Sequence, residues 1–139
     1  MSVFLNNKVG VKINNIDLSD HVSSVTLTRN FDELEVSAMG DLSHRFTKGL
    51  EASTVTLDFF NDEATGSVLP TLQAAWGTTV TLAMVQDKTS AVSATNPLYT
   101  MSILVNKTTD INGKVSELST QSVTFTVNSV TTIANTGTF

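Results

Sequence analysis

The chain has no cysteine, which excludes disulfides, thiolate catalysis and zinc sites built on Cys. A cysteine-free chain is compatible with a reducing cytoplasm. Positive charge is scarce: eight Lys and Arg stand against thirteen Asp and Glu, for a net charge of −5. Residues 1–70 carry ten Asp and Glu against five Lys and Arg, whereas residues 71–139 carry three of each. No basic stripe exists, and a phosphate backbone is gripped by clustered Lys and Arg, so tight nucleic-acid binding is not expected. Aromatic residues make up 6%, with one Trp, a poor basis for a carbohydrate platform. No run approaches the ~20 apolar residues that span a bilayer, and Met1–Lys8 lacks the apolar run of a signal peptide. The expectation is a soluble protein made in the cytoplasm, with no membrane partner.

Active-site signatures are equally sparse. No glycine loop for phosphate and no Gly-x-Ser-x-Gly elbow is present. His21 and His44 are the two histidines. His21 reads as a structural or surface residue and His44 as an interface contact, since nucleophilic catalysis needs a His within reach of a Ser and an acid to orient it. Asp110-Ile111-Asn112-Gly113 echoes the start of a calcium loop but lacks the further acidic ligands. No cofactor, metal or catalytic residue is expected, and the chain reads as a non-enzyme.

What is abundant is Thr, Ser and Val. Branching at Cβ suits a pleated surface, and 139 residues suit one domain with a substantial core. Apolar residues alternate with polar ones around Val9, Val11 and Ile13; Val25 and Leu27; Leu34 and Val36; Val55, Leu57 and Phe59; Val80, Leu82 and Met84; Tyr99, Met101, Ile103 and Val105; and Val123, Phe125 and Val127. This is the period of half-buried strands. About seven strands result, with a short eighth near Thr131-Thr132-Ile133, in the range of a β-sandwich or partly closed barrel. Asn14-Asn15 supplies turn chemistry, and Asn112-Gly113 signals a hairpin.

A helix is placed within residues 62–76, where Val68, Leu72 and Trp76 recur at a spacing of four and read as core or interface packing. Pro70 fits a first turn, Ser67 or Asn61 a cap, and Gly77 a left-handed stop. Glu33 and Glu35 fall on one side of a strand and, with Asp58, read as an acidic lumen-facing or solvated face.

The most distinctive stretch is 38–52, a connection too long for a hairpin turn. Met39, Leu42, Phe46 and Leu50 are interleaved there with Asp41, His44, Arg45 and Lys48, and Gly40 sits among them. Connections of this length are usually functional or disordered, and disordered segments are depleted in large apolar residues. The segment therefore reads as an arm that buries its apolar groups on another subunit, and residues 39–42, 44–46, 48 and 50 become the candidate interface.

Three stretches together resemble the tail tube proteins of long-tailed bacteriophages. Val9-Gly10-Val11-Lys12-Ile13-Asn14-Asn15-Ile16-Asp17-Leu18-Ser19-Asp20-His21-Val22 resembles their opening strand and turn. Ala38-Met39-Gly40-Asp41 followed by Gly49-Leu50 resembles their long inter-strand loop, and Ala91–Pro97 followed by Tyr99 to Val105 their later loop-to-strand passage. The resemblance runs from about residue 9 to residue 130. It implies a mainly β sandwich or partly closed barrel with one flanking helix, a single domain over 1–139 with an N-terminal segment 1–8, the assembly loop 38–52 and a C-terminal segment 129–139. It further implies hexameric rings that stack into a tube in the virion tail, assembled in the host bacterial cytoplasm. Implied partners are other copies of the chain, the tape measure, terminator and tip proteins of the tail, and DNA in transit. A single-ring terminator, a secretion-tube protein or a β-sandwich ligand-binding module are the alternatives.

Overall fold

A computed structural model describes residues 8–139; the expected N-terminal segment, but for Lys8, lies outside the described residues. The protein is mainly β, with 44% of residues in strands and 8% helical, and its sheet is not closed into a barrel. In chain order the strands are β1 (Gly10–Ile13), β2 (Ile16–Asp17), β3 (Val22–Thr28), β4 (Phe31–Glu35), β5 (Phe46–Glu51), β6 (Thr54–Phe60), β7 (Thr79–Val85), β8 (Leu98–Leu104), β9 (Thr120–Val127) and β10 (Thr132–Ala134). A 3-10 turn, Ser19–His21, precedes β3, and one α-helix, α1 (Val68–Ala75), lies between β6 and β7.

Eight strands form one antiparallel sheet in the order β2-β1-β7-β8-β9-β6-β3, with β10 on β8. β8 is the corner of this sheet. Its Ile103 and Leu104 pair with Val127 and Thr126 of β9, while Leu98, Tyr99 and Thr100 pair with β10. One edge of β8 is thus shared by two successive strands, so the sheet turns there and wraps its apolar face around the core. Asn14 and Asn15 both hold positive φ (53° and 64°) and close the β1–β2 hairpin at Ile13↔Ile16, the two-residue turn that such Asn residues favour.

The alternation read from the sequence becomes two faces. Val11, Ile13, Val55, Leu57, Phe59, Leu82, Met101, Ile103, Val123 and Phe125 are buried in one core with Val68, Leu72 and Ala75 of α1. The helix falls inside the expected 62–76 but is shorter. Pro70 sits in its first turn, Ser67 is the N-cap residue without a side-chain cap bond, and Gly77 (φ 79°) follows the end. Leu69 N–H donates to the Asp62 carbonyl, satisfying a group of the first turn.

Trp76 departs from the expected stripe. The backbone leaves the helix at this residue (ψ 129°), and the indole is 62% exposed. The Asn112-Gly113 hairpin is also corrected: residues 105–119 carry no strand. The flanks of that dipeptide lack the apolar alternation that would pair them, and Ile111, Val115 and Leu118 are exposed.

Candidate functional site

β4 and β5 form a separate two-stranded sheet that pairs with no strand of the main sheet. The arm is therefore a β-ribbon, and it begins earlier than the sequence pattern indicates: Leu34 and Glu33 belong to its first strand, and residues 46–51 of the expected loop are its second. At the root, Ala52 N–H donates to the Asn30 carbonyl (2.7 Å), and Glu51 accepts from Thr131 N–H (3.0 Å) while facing Arg29 at 3.9 Å.

Register then jumps from Phe31↔Glu51 to Glu33↔Lys48, so Gly49 and Leu50 together oppose Asp32. Such a bulge bends and twists a ribbon. Gly49 makes it fit: a Cβ there would lie 2.8 Å from both Cβ and the carbonyl oxygen of Asp32. Beyond the bulge Leu34 faces Thr47 and Glu35 faces Phe46. Lys48 Nζ reaches over the Phe31 ring, 5.5 Å from its centroid.

The tip, residues 36–45, is tied down by its own polar groups. Val36 N–H donates to the Arg45 carbonyl (2.8 Å), Arg45 N–H to the Ser37 hydroxyl (2.8 Å), and Asp41 N–H to the Ala38 carbonyl (3.1 Å). Asp41 Oδ2 accepts from Ala38 N–H (2.7 Å), and its Oδ1 lies 3.6 Å from Arg45. Gly40 takes φ 91° at the third position of the Ala38–Asp41 turn, where a type II turn needs positive φ. His44 Nδ1 meets Glu35, which also accepts from Ser37 (3.3 Å). The carboxylate stands between hydroxyl and imidazole, whereas a Ser–His–acid relay needs the imidazole in the middle.

All the expected arm residues lie on this ribbon, with Met39, Gly40, Asp41, Leu42, His44 and Arg45 in the tip and Phe46, Lys48 and Leu50 on β5. Its apolar side chains are uncovered. Phe31, Leu34, Val36, Phe46 and Leu50 are exposed, and Met39 and Leu42 are completely so, at 102% and 104%. Leu34 and Val36 were missed as arm residues, because their alternation with Glu33 and Glu35 reads as a half-buried sandwich strand, and Phe31 lies outside that alternation. Soluble monomers rarely leave contiguous apolar patches of more than a few hundred Å² exposed.

The acidic trio divides between two places. Glu33 and Glu35 share one face of the ribbon, whereas Asp58 lies on the main sheet, between Ser24 and Ser122. That outer face of the main sheet is lined by hydroxyls. Across β3, β6 and β9 run the rows Thr28–Thr54–Thr126, Thr26–Thr56–Thr124 and Ser24–Asp58–Ser122. The Thr56 and Thr124 hydroxyls are 3.0 Å apart. Lys12 on β1, Asp17 opposite it on β2, and Asp58 on β6 are the charged side chains of this face among the described strands.

Among the described residues β3 has a neighbour on one side only, β6. Its inward residues Val25 and Leu27 are half-buried and face a cleft of about 310 Å³, whose other walls include Val9, Met84, Val85 and Tyr99. The cleft is the seam that the unclosed sheet leaves open.

His21 Nε2 pairs with Asp62 Oδ2 at 2.9 Å. The Ala64 N–H, with help from His21, holds the Asp62 carboxyl below its usual value. Asp87 is likewise held low by the Thr89 hydroxyl and N–H. Burial opposes ionisation of Asp17, but the Ser19 hydroxyl and N–H and the Lys88 ammonium outweigh it and keep that carboxyl low too. Each of the three ties a turn together. Among the described residues no group of three or more His, Asp or Glu is placed to hold a metal ion. No protein-family model matches the chain, and no curated protein matches it.

Proposed function

We propose that the chain is a structural protein, not an enzyme, that self-assembles into stacked rings forming the tail tube of a long-tailed bacteriophage. The observation that carries this reading is the ribbon, which pairs with no strand of its own main sheet and leaves seven large apolar side chains uncovered. Burying a Leu, Val, Met or Phe side chain contributes about 1.5–3 kcal/mol, so a surface that covers several of them gains enough to order an assembly. The cover is another copy of the chain.

Two further features support a conduit. The edge of β3 that no described strand pairs is a liability in an isolated sheet, and closure of a ring, hexameric in this reading, pairs it with a neighbour. The hydroxyl face of the main sheet then lines the lumen. Duplex DNA carries a negative charge per ~1.7 Å of axis; a face with almost no cations offers it no points of attachment during passage. Tape measure, terminator and tip proteins are the remaining partners, and the assembled chain resides in the virion tail.

Electron microscopy of the purified chain, at high concentration and with tail-initiating proteins, tests the proposal. Tubes or stacked rings are expected. Single rings that never stack would point to a terminator instead, and a chain that stays monomeric under both conditions would refute assembly altogether.

A further inference from the structure

Asn112-Gly113 is a motif of the sequence that neither the sheet nor the assembly reading absorbs. We propose that it is a self-modification site, where the Asn112 side-chain amide is converted to a carboxylate without an enzyme, and that this conversion unlatches the loop 105–119 from the main sheet. The chemistry needs only the two residues and water. The Gly113 backbone nitrogen, its proton passed to a solvent base, attacks Asn112 Cγ. A C–N bond forms and closes an imide ring, and the side-chain nitrogen takes up a proton and leaves as ammonia. Water then adds to one of the two imide carbonyls and opens the ring. Attack at the side-chain carbonyl leaves an aspartate, and attack at the backbone carbonyl leaves an isoaspartate.

Glycine favours this attack, because it has no Cβ to crowd the nitrogen and its backbone turns freely. Asn112 is the only asparagine that a glycine follows. The structure supplies the remaining conditions. Both residues are exposed, on a stretch with neither helix nor strand, so no ladder fixes their dihedral angles. Among the described residues the Gly113 N–H has no hydrogen-bond partner, which leaves the nucleophile free. A Cβ built on Gly113 would meet nothing within 4 Å, so the approach is open.

The amide at risk is also the latch. Asn112 Nδ2 donates to the Thr120 carbonyl at the start of β9. Among the described residues this is the one hydrogen bond from 110–118 to the sheet; the Glu117 N–H bond to the Lys114 carbonyl (3.1 Å) stays within the loop. The loop's ends are held separately, by Thr109 N–H on Gln121 Oε1 (3.0 Å) and by Asn61 Nδ2 on the Ser119 hydroxyl (2.9 Å). An ionised carboxylate accepts hydrogen bonds but donates none. At position 112 it would set oxygen against the Thr120 carbonyl oxygen and add a negative charge two residues from Asp110, so a bond becomes a repulsion. Ile111 and Asn112 share a pocket of about 270 Å³ with Asn61 and Leu69, and the loosened loop opens it.

The sequence makes the test clean. The folded chain is aged in warm buffer at neutral and mildly alkaline pH, then denatured and cut with trypsin. Cleavage after Lys107 and Lys114 releases the peptide 108–114, in which Asn112 is the sole side-chain amide. Mass spectrometry should show that peptide turning from amide to acid, with a separate isoaspartate peak on chromatography, and faster at the higher pH. Conversion should run several-fold ahead of the peptide 115–139, which carries the exposed Asn128 and Asn135. Gly113→Ala, which the open space tolerates, should slow it several-fold. A peptide 108–114 that converts in urea but stays an amide in the folded chain would overturn the site. The latch is read with Asn112→Asp, where hydrogen exchange of the loop amides should rise several-fold while that of the strands is unchanged; equal exchange in both chains would overturn it.

Discussion

Leu72 and Trp76 stand four residues apart, yet only Leu72 enters the core. Leu72→Ala is expected to cost about 2–5 kcal/mol, and Trp76→Ala about 0.5 kcal/mol or less, both read from denaturant unfolding. Spacing alone groups the two, because periodicity presumes that the helix continues. Gly77 N–H instead donates to the Val105 carbonyl (2.7 Å), a contact between residues far apart in sequence that no local pattern announces. Gly10 offers a second single-residue test. A Cβ there would lie 2.7 Å from the Phe139 ring and 2.9 Å from Lys88 Cβ. Gly10→Ala is expected to destabilise by about 1–3 kcal/mol, and by clearly less in a Phe139→Ala background, because the ring is the nearest obstacle. A double-mutant cycle measures the difference; equal costs in both backgrounds would assign the clash to Lys88.

Among the elements, the ribbon shows how far pattern carries. Its apolar content and its difference from an ordinary loop were legible. Its second strand was not, because the bulge at Gly49 and Leu50 breaks the alternation by which strands are recognised. Its first strand was legible as a strand but misassigned to the sandwich. Glu33-Leu34-Glu35-Val36 reports a side that needs covering, and says nothing about whether the same chain covers it. The root suggests a clean excision. Asn30 and Ala52 are already hydrogen-bonded, so joining them through a short Gly-Ser link in place of residues 31–51 should leave the body folded. The expected outcome is retained far-ultraviolet circular dichroism and cooperative unfolding, with no polymer by light scattering. Loss of cooperative unfolding would show that the ribbon is part of the core.

For the whole molecule, the fold class followed from composition and period, since strand-forming residues alternate in all the long strands of the main sheet. Its connectivity did not: the shared edge of β8 depends on pairings between distant segments. The turns also set the response to acid. Asp17, Asp62 and Asp87 are held below the usual carboxylate value of 3.8. A carboxyl with a depressed folded-state pKa contributes stability that is present above its unfolded value and lost as pH falls through its folded value. The melting temperature should therefore change little, on account of these groups, from neutral pH down to about 5, and fall progressively below about 4. Asp17→Asn should flatten that acid limb; an unchanged profile would remove Asp17 from the account.

The fully exposed tip has a use as a clock. Arg45 closes it and Lys48 follows on β5, so trypsin should nick a free chain there first, as it does exposed loop tips in general. The two fragments would stay together, because β3 on one side of the cut is zipped to β6 on the other along Val22–Thr28. A nicked chain would then keep its body and its size in native gels while losing the covalent continuity of its arm. In a mixture at steady state, the rate of nicking counts the copies whose tips are still uncovered.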